Sequence, residues 1–272
     1  MKYYLVVVNY NNCNVTMNCL LSTKSLAEGK FSKIVVVDNH SDDSDIGQLK
    51  TFIQNNSDLK IELLTLSENI GYFPAINKGI TFLNLREQDD FFLVVGNNDL
   101  LFPKSFIQSL NKLAFDDSTF VISPDIITPQ GIHQNPHVID RISFFRRFAY
   151  NLYFISFHIA CFLSFLGNLL GRSRRKKSRY GYDKEQIIRM GFGACYVLLP
   201  QYIKRIGLLD ESVFLMGEEA LLSNQVYSNG GKILYTPCVQ VTHLDHSTFK
   251  NMPSKRTYNI TKESYKVYKK FL

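Results

Sequence analysis

The sequence predicts an α/β protein whose mostly parallel sheet carries helices on both faces. Four short apolar runs recur in the first hundred residues, and helical patterning follows each of the first three. The runs are continuously apolar, which is typical of parallel strands buried on both faces. Each run ends abruptly in polar residues. We therefore expect the polar clusters at the carboxyl ends of the strands, where open α/β sheets bind ligands.

The predicted elements alternate along this region. Strands are predicted from the β-rich apolar runs at residues 3–8, 31–37, 61–66 and 91–95. Helices are predicted from apolar spacing at residues 15–27, 46–55 and 74–85. Strands that alternate with helices in this way are typical of a parallel sheet.

Composition and cysteine usage indicate an ordinary globular chain. Its 272 residues suffice for one large domain, and 45% of them are hydrophobic. The five cysteines show no metal-ligand spacing, which favours reduced thiols in the cytosol. The first apolar run is only strand-length, so no signal peptide is expected.

The net charge of +7 is unevenly distributed. Residues 141–179 carry +9 and residues 250–272 carry +6, so the remainder sums to −8. A mildly acidic body with two basic attachments does not resemble a nucleic-acid groove, and no nucleic-acid partner is expected. The pattern favours a body that is bound peripherally to an anionic membrane surface.

Residues 141–180 differ in character from the rest of the chain. Aromatic residues lead into an apolar run over 152–170, and a basic run follows at 172–179. We expect a helical, membrane-associating insertion, either interfacial or re-entrant; the alternative is a helix packed on the body. The C-terminal segment 250–272 predicts a second basic amphipathic helix, with Tyr265, Tyr268 and Leu272 on one face.

Two polar clusters suggest a nucleotide site. Asp99 follows the fourth strand, and a lone carboxylate there suits a hard divalent cation held against a phosphate oxygen. The alternative is an Asn-rich turn. Asp38 follows the second strand, where nucleotide-binding sheets place a carboxylate for ribose or base; the alternative is a turn or N-cap aspartate.

The sequence lacks both Gly-x-Gly-x-x-Gly after its first strand and Gly-Lys-Ser/Thr, which disfavours dinucleotide and P-loop folds.

Several motifs in order give the chain a family resemblance. Those of the first half lie at residues 7–11, 35–42, 68–79 and 96–99. Those of the second half lie at 191–198, 206–214, 218–219, 230–237 and 241–243. Together they resemble glycosyltransferase family 2, which has the GT-A fold. The subgroup most similar to this chain contains rhamnosyltransferase-like enzymes of bacterial surface-polysaccharide biosynthesis.

The resemblance implies one GT-A domain over residues 1–272. Residues 1–125 would form the nucleotide-sugar-binding half, and residues 187–248 the acceptor and catalytic half. The residues that would bind the nucleotide sugar are Asn9, Tyr10, Asp38, Asn69, Asn77, Asn97 and Asn98.

The same resemblance implies the catalytic groups. Asp99 would hold Mg²⁺ or Mn²⁺ against the donor diphosphate, and His243 would approach the metal or the diphosphate; a structural histidine is the alternative. Glu219 would be the general base that takes the proton of the acceptor hydroxyl. From the residues alone, Glu218 and Glu219 can also be exposed acids at a helix start.

Three departures from the family pattern keep a second function open. Asn97 replaces the first Asp of the usual Asp-x-Asp, Glu219 replaces an Asp, and Leu221 stands where a further Asp is usual. The leading hypothesis is a cytoplasmic, membrane-associated, inverting glycosyltransferase. It would move a sugar from a UDP- or dTDP-linked donor to a glycan or lipid-linked oligosaccharide.

The main alternative is a catalytically inactive GT-A-like binding or scaffolding subunit of a polysaccharide assembly complex. A nucleotidyltransferase is disfavoured because the chain lacks that group's Gly-rich, basic N-terminal loop.

Overall fold

A computed structural model describes residues 1–169, 178–245 and 254–272. Its strands are β1 (Lys2–Asn9), β2 (Lys33–Asp38), β3 (Ile61–Thr65), β4 (Phe91–Asn97), β5 (Leu100–Leu101), β6 (Thr119–Ile127), β7 (Gln186–Ile188), β8 (Cys195–Leu198) and β9 (Lys232–His243). Its α-helices are α1 (Cys13–Lys24), α2 (Asp43–Asn55), α3 (Tyr72–Leu83), α4 (Phe106–Asn111), α5 (Phe144–Tyr153), α6 (Phe157–Leu169), α7 (Pro200–Arg205), α8 (Glu218–Ser228) and α9 (Lys255–Tyr268). Most of the basic run predicted at 172–179 and the first residues of segment 250–272 lie outside the described ranges.

The predicted alternation over the first hundred residues is confirmed, with small shifts at the helix starts. Helix α3 begins at Tyr72 rather than at Pro74. Proline is tolerated in the first helical turn because its missing N–H has no partner there. Helix α1 begins at Cys13 and ends at Lys24, earlier at both ends than predicted.

The strands form one sheet in the order β3-β2-β1-β4-β8-β6-β9-β5, with β7 paired to β9. Strands β1 to β4 are parallel to their neighbours in this group, while β8, β5 and β7 run antiparallel to the strands that they pair with. The predicted α/β class with a mostly parallel sheet is therefore confirmed. The antiparallel strands all belong to later parts of the chain.

Each face of the sheet buries its own apolar core. Leu5 and Val7 of β1 pack with α1, α2 and α4 on one face. Val6 points to the other face and packs with α3, α7 and α8. The side-chain period of two along a strand divides the residues in this way. A continuous apolar strand thus supplies both cores.

The segment after β6 forms a helical hairpin of α5 and α6. No residue of α5 is buried. The hairpin packs on the C-terminal helix α9, where the rings of Phe154 and Tyr265 stack at 4.4 Å. Among the helices in the described residues, none combines the length and the apolarity needed to span a bilayer.

The predicted C-terminal helix is present as α9, and its aromatic face is turned toward the protein. Tyr265 is buried, and Tyr268 and Leu272 pack against a small apolar cluster that includes Val138 and Ala220. The aromatic face predicted to meet a membrane therefore packs on the protein itself. Helical spacing alone identifies an apolar face but does not show whether protein or lipid covers it.

Candidate active site

Asp99 lies in the turn that follows β4. The N–H of Asn97 donates to the carbonyl of Ala194 at 2.9 Å, and the chain then turns into β5. Leu100 of β5 pairs with His243 of β9 in an antiparallel register. This pairing brings Asp99 Oδ1 within 3.2 Å of His243 Nε2. The two side chains predicted to hold the metal are therefore adjacent and buried.

Gln134 orients the His243 ring. Its Oε1 atom lies 2.8 Å from His243 Nδ1. Because an amide oxygen only accepts, Nδ1 donates to Gln134, and Nε2 faces Asp99. Two electron-rich atoms at 3.2 Å are stabilised by positive charge between them, either a proton or a cation.

This donor set suits a divalent cation. Carboxylate oxygens suit Mg²⁺ and Mn²⁺, and imidazole is a common metal ligand. Within the described ranges, no group of three or more His, Cys, Asp or Glu side chains is placed to hold a metal. Asn97 is near the pair as well, since its Nδ2 atom lies 3.5 Å from His243 Nε2.

Asn9 and Asp38 form a closed polar network at the ends of β1 and β2. Asn9 Nδ2 donates to Asp38 Oδ2 at 2.7 Å. Ser41 donates to the same carboxylate twice, from N at 2.9 Å and from Oγ at 2.6 Å. Asn9 and Asp38 are fully buried. In this structure the two side chains are thus directed at each other and at Ser41.

The network continues to the turn that contains Asn98 and Asp99. Thr16 Oγ1 donates to Asn9 Oδ1 at 2.7 Å, and Asn98 Nδ2 donates to Thr16 Oγ1 at 2.7 Å. Asn9, Asp38, Asn98 and Asp99 therefore lie along one edge of the sheet, as predicted. Tyr10, beside them, has 49% of its surface exposed and remains accessible to a ligand.

The side chains of Asn77 and Asn69 form hydrogen bonds with other residues of the protein. Asn77 is buried, and its amide bonds the backbone N and O of Leu209 and the carboxylate of Glu211. These contacts occupy its amide, and the expectation that Asn77 lines the donor pocket stays a prediction. Asn69 Oδ1 accepts from Asn39 Nδ2 at 2.9 Å and from Gly71 N at 3.1 Å.

Glu218 and Glu219 begin helix α8, but they are not the exposed acids of the alternative prediction. Glu218 is only 6% exposed, and its Oε1 accepts from Met216 N at 2.9 Å. Glu219 is partly buried, and its Oε1 accepts from Gly193 N at 3.2 Å. A Cβ at position 193 would lie 2.8 Å from that oxygen, so a larger residue in this turn would displace the Glu219 carboxylate.

Burial shifts the ionisation of both acids. Loss of solvation, and then the charge of Glu219, raise the pKa of Glu218 to about 7. Loss of solvation also raises the pKa of Glu219, and its bond from Gly193 N opposes this rise. Burial disfavours the charged form of a carboxyl group. A carboxylate with a raised pKa is a stronger base near neutral pH, as proton abstraction requires.

Two further residues of the site were missed from the sequence. Gln134 sits in a loop with no motif, so only the contact with His243 reveals it. Tyr72 belongs to the motif at 68–79, but its position becomes clear only in the fold. Its backbone N donates to the carbonyl of Phe214 at 3.0 Å. Burial, and then the charges of Glu218 and Asp99 among others, raise the pKa of its hydroxyl.

A mostly parallel sheet with helices on both faces, extended by antiparallel strands, is the architecture of the GT-A fold. The sequence profile described as Glycosyl transferase family 2 matches residues 4–170, more than half of the chain. The chain therefore belongs to glycosyl transferase family 2. The second-half motifs lie outside the matched range, and no curated protein matches the sequence.

Solved structures agree on the fold. GalNAc-T7, in a structure with UDP, GalNAc and Mn²⁺, has a TM-score of 0.60 at 15% identity, covering 89% of this chain and 44% of that one. A Pyrobaculum calidifontis mannosyltransferase in complex with GDP-Man and Mn²⁺ has a TM-score of 0.54 at 17% identity, covering 94% and 58%. S. aureus TarS 1–349 has a TM-score of 0.54 at 14% identity, covering 89% and 60%. The chain thus spans about half the length of these proteins.

Proposed function

We propose that this chain is an inverting glycosyltransferase of the rhamnosyltransferase-like subgroup. It transfers a sugar from a UDP- or dTDP-linked donor to a saccharide acceptor that is carried on a lipid, in the synthesis of a bacterial surface polysaccharide. The observation that carries the proposal is the pairing of Asp99 with His243 at the same sheet edge as the buried Glu218 and the partly buried Glu219.

The donor is held at the ends of β1, β2 and β4. Asp99 and His243 hold the divalent cation, which neutralises charge on the diphosphate when it is bound. Tyr10 offers an exposed ring for the base. Asn9 and Asp38 shape the wall behind it through their shared hydrogen bond. The neighbours that contain UDP or GDP-Man have Mn²⁺ in two cases, which supports a metal-dependent donor site.

Glu219 acts on the acceptor. Its carboxylate accepts the proton of the attacking hydroxyl, and the hydroxyl oxygen then displaces the nucleotide diphosphate in one step. A single displacement inverts the anomeric centre. Gly193 N fixes the position of Glu219 Oε1, at 3.2 Å. The Glu218 carboxylate accepts a hydrogen bond from Met216 N in the preceding loop. This contact favours Glu219 as the base.

The helical hairpin supports a membrane-bound acceptor. Phe144 and Phe145 are 77% and 83% exposed, and Phe148, Ile155, Phe162 and Phe165 are exposed as well. Arg141 and Arg147 lie among them. Exposed aromatics beside basic residues suit the interface of an anionic bilayer. We therefore place the enzyme at the cytoplasmic face of the membrane, bound peripherally through α5 and α6.

A calorimetric titration tests the donor site. UDP, dTDP and GDP are titrated into wild type and Asp99→Ala, each with Mn²⁺, with Mg²⁺ and with EDTA. We expect metal-dependent binding of UDP or dTDP in wild type and its loss in Asp99→Ala. Absence of nucleotide binding under every metal condition would favour the scaffolding alternative.

Sedimentation with vesicles tests the membrane surface. Phe145→Ser and Phe148→Ser should weaken binding to phosphatidylglycerol vesicles while leaving UDP binding intact, because both rings are exposed. Phe115→Ser serves as a contrast, since its ring packs inside the body against Phe92 and its loss should affect stability instead. Equal sedimentation of wild type and the hairpin variants would contradict a membrane contact through α5.

A further inference from the structure

Asn135 is a fully buried amide whose hydrogen bonds join two segments that are distant in the sequence. Its Nδ2 atom donates to Ser123 Oγ at 2.9 Å and to the carbonyl of Pro124 at 2.7 Å, both in β6. Its Oδ1 atom accepts from Phe192 N at 2.8 Å, in the loop that leads into β8. Asn135 therefore ties the segment 191–194 to β6.

The segment 191–194 contacts two parts of the candidate active site. Gly193 N donates to Glu219 Oε1 at 3.2 Å. The carbonyl of Ala194 accepts from Asn97 N at 2.9 Å, at the start of the turn that is proposed to hold the cation. Consecutive residues of this segment thus contact the proposed base and the end of β4.

Hydrogen bonds fix the backbone of the segment on both sides of Phe192. Tyr196 Oη donates to the carbonyl of Gly191 at 2.8 Å, and Asn135 holds Phe192 N. Without Asn135, Phe192 N would lose its partner one residue before the N–H that contacts the base. A shift of about 1 Å in a reacting group can lower a rate by about 10²-fold, so this backbone position matters for catalysis.

The residue before Asn135 contacts the other part of the site. Gln134 Oε1 lies 2.8 Å from His243 Nδ1, and Gln134 N donates to the carbonyl of Ile126 at 2.8 Å, which holds the loop against β6. Two consecutive side chains of one loop therefore face in different directions. Gln134 contacts the imidazole beside Asp99, and Asn135 contacts the segment that carries Gly193.

We propose that Asn135 is a positioning residue for the general base. By holding Phe192 N it fixes the position of Gly193 N, and Gly193 N in turn fixes Glu219 Oε1. This inference rests on the proposed function. Because Asn135 is fully buried, it cannot contact donor or acceptor, and its effect should fall on kcat and not on substrate binding. The alternative is that Asn135 only stabilises the fold.

Steady-state kinetics and UDP calorimetry distinguish these two roles. Asn135→Ala should lower kcat about tenfold or more, while the KM for the donor and metal-dependent UDP binding change less than about twofold. Ser123→Ala is the matched control, because it removes one hydrogen bond from the same buried amide but leaves the bond to Phe192 N. It should lower the melting temperature and change kcat less than about twofold. Equal losses of kcat in the two variants would contradict the proposal.

A second variant covers the case in which Asn135→Ala does not fold. Asn135→Ser keeps a polar group in the buried site, but its side chain is too short to keep the bond to Phe192 N. It should lower kcat as Asn135→Ala does, with UDP binding retained. A folded Asn135→Ser variant with wild-type kcat would overturn the proposal.

A double-mutant cycle tests whether Asn135 acts through Glu219. In the Glu219→Gln background, Asn135→Ala should lower the residual kcat less than about twofold, because the carboxylate that it positions is already absent. A residue that only stabilises the fold would lower kcat by the same factor in both backgrounds. Equal factors would therefore refute the positioning role.

A metal titration separates Asn135 from its neighbour without measuring turnover. Gln134→Ala should raise the Mn²⁺ concentration needed for half-maximal UDP binding roughly tenfold, because it removes the partner of the His243 ring. Asn135→Ala should leave that concentration unchanged. An equal rise in both variants would show that Asn135 acts on the whole site, and the assignment to the base would be wrong.

Failure of the proposed function would appear in proteins that retain Asn135. It would be seen as absence of metal-dependent UDP binding in wild type, or as turnover retained in Glu219→Gln, and the inference would fail with it. If Glu219→Gln loses turnover while Asn135→Ala retains it, only the inference about Asn135 is refuted.

Discussion

The two polar clusters at the carboxyl edge of the sheet are built differently. Around Asp38, short hydrogen bonds from Asn9 and Ser41 satisfy a fully buried carboxylate. At the start of α8, each of the buried acids Glu218 and Glu219 accepts one backbone N–H, and burial raises the pKa of both. Hydrogen bonds stabilise the ionised form of a carboxyl group, and burial without them destabilises it. The first cluster therefore contributes mainly stability, and the second contributes reactive groups.

Replacement of the proposed base should have the largest effect on activity. Glu219→Gln keeps an oxygen for Gly193 N but cannot take a proton, so kcat should fall by about 10²–10⁴-fold. Metal-dependent UDP binding and the melting temperature should not fall. Turnover near the wild-type rate, measured by release of the nucleotide diphosphate in the presence of acceptor, would contradict the assignment of the base.

The corresponding change in the first cluster should act on folding. Asp38→Asn places an amide NH₂ group opposite Asn9 Nδ2, leaving donors without acceptors in a buried site, and should cost about 2–3 kcal/mol of unfolding free energy. Urea denaturation measures this cost. Asp42→Asn is the matched control, because Asp42 is exposed in the same loop and its side chain makes no cap hydrogen bond. If both variants were equally stable, the Asp38 network would not be a source of stability.

Asn77 provides a second test of the stabilising contacts. Asn77→Ala removes three hydrogen bonds to the loop at Leu209 and Glu211 and leaves buried backbone groups unsatisfied. We expect a loss of about 2 kcal/mol in unfolding free energy, with UDP affinity in the folded variant changed little. A large rise in the Kd for UDP without a loss of stability would show that the Asn77 side chain contributes to donor binding.

A pH dependence of stability is expected at the start of α8. The pKa of Glu218 is about 7 in the folded protein against an ordinary value of 4.5, so the folded state binds this proton more tightly. Its contribution to stability is therefore lost as the pH rises from about 4.5 to about 7. Glu218→Gln should raise the melting temperature relative to wild type at pH 8 and change it little at pH 4. Glu263→Gln, at an exposed position, should show no such difference.

Much of the fold could be predicted from local sequence. The continuous apolar runs before Asn9, Asp38 and Gly96 identify buried parallel strands, because only a sheet covered on both faces buries every residue of a strand. The polar residues that follow each run then fall at one edge of the sheet. A helical insertion at 141–180 was also predicted, from its aromatic residues, its apolar run over 152–170 and the basic run that follows.

The fold class, the sheet edge with the candidate site and the family could thus be predicted from the residues alone. Which polar groups face each other became clear only once distant segments were packed together. The pairing of Leu100 with His243 brings Asp99 next to the His243 side chain. Asn77 is directed into the loop at Leu209. The aromatic face of α9 packs on the protein itself. The physical reason is that local patterns encode burial and periodicity, whereas hydrogen-bond partners and pKa values depend on which distant segments pack together.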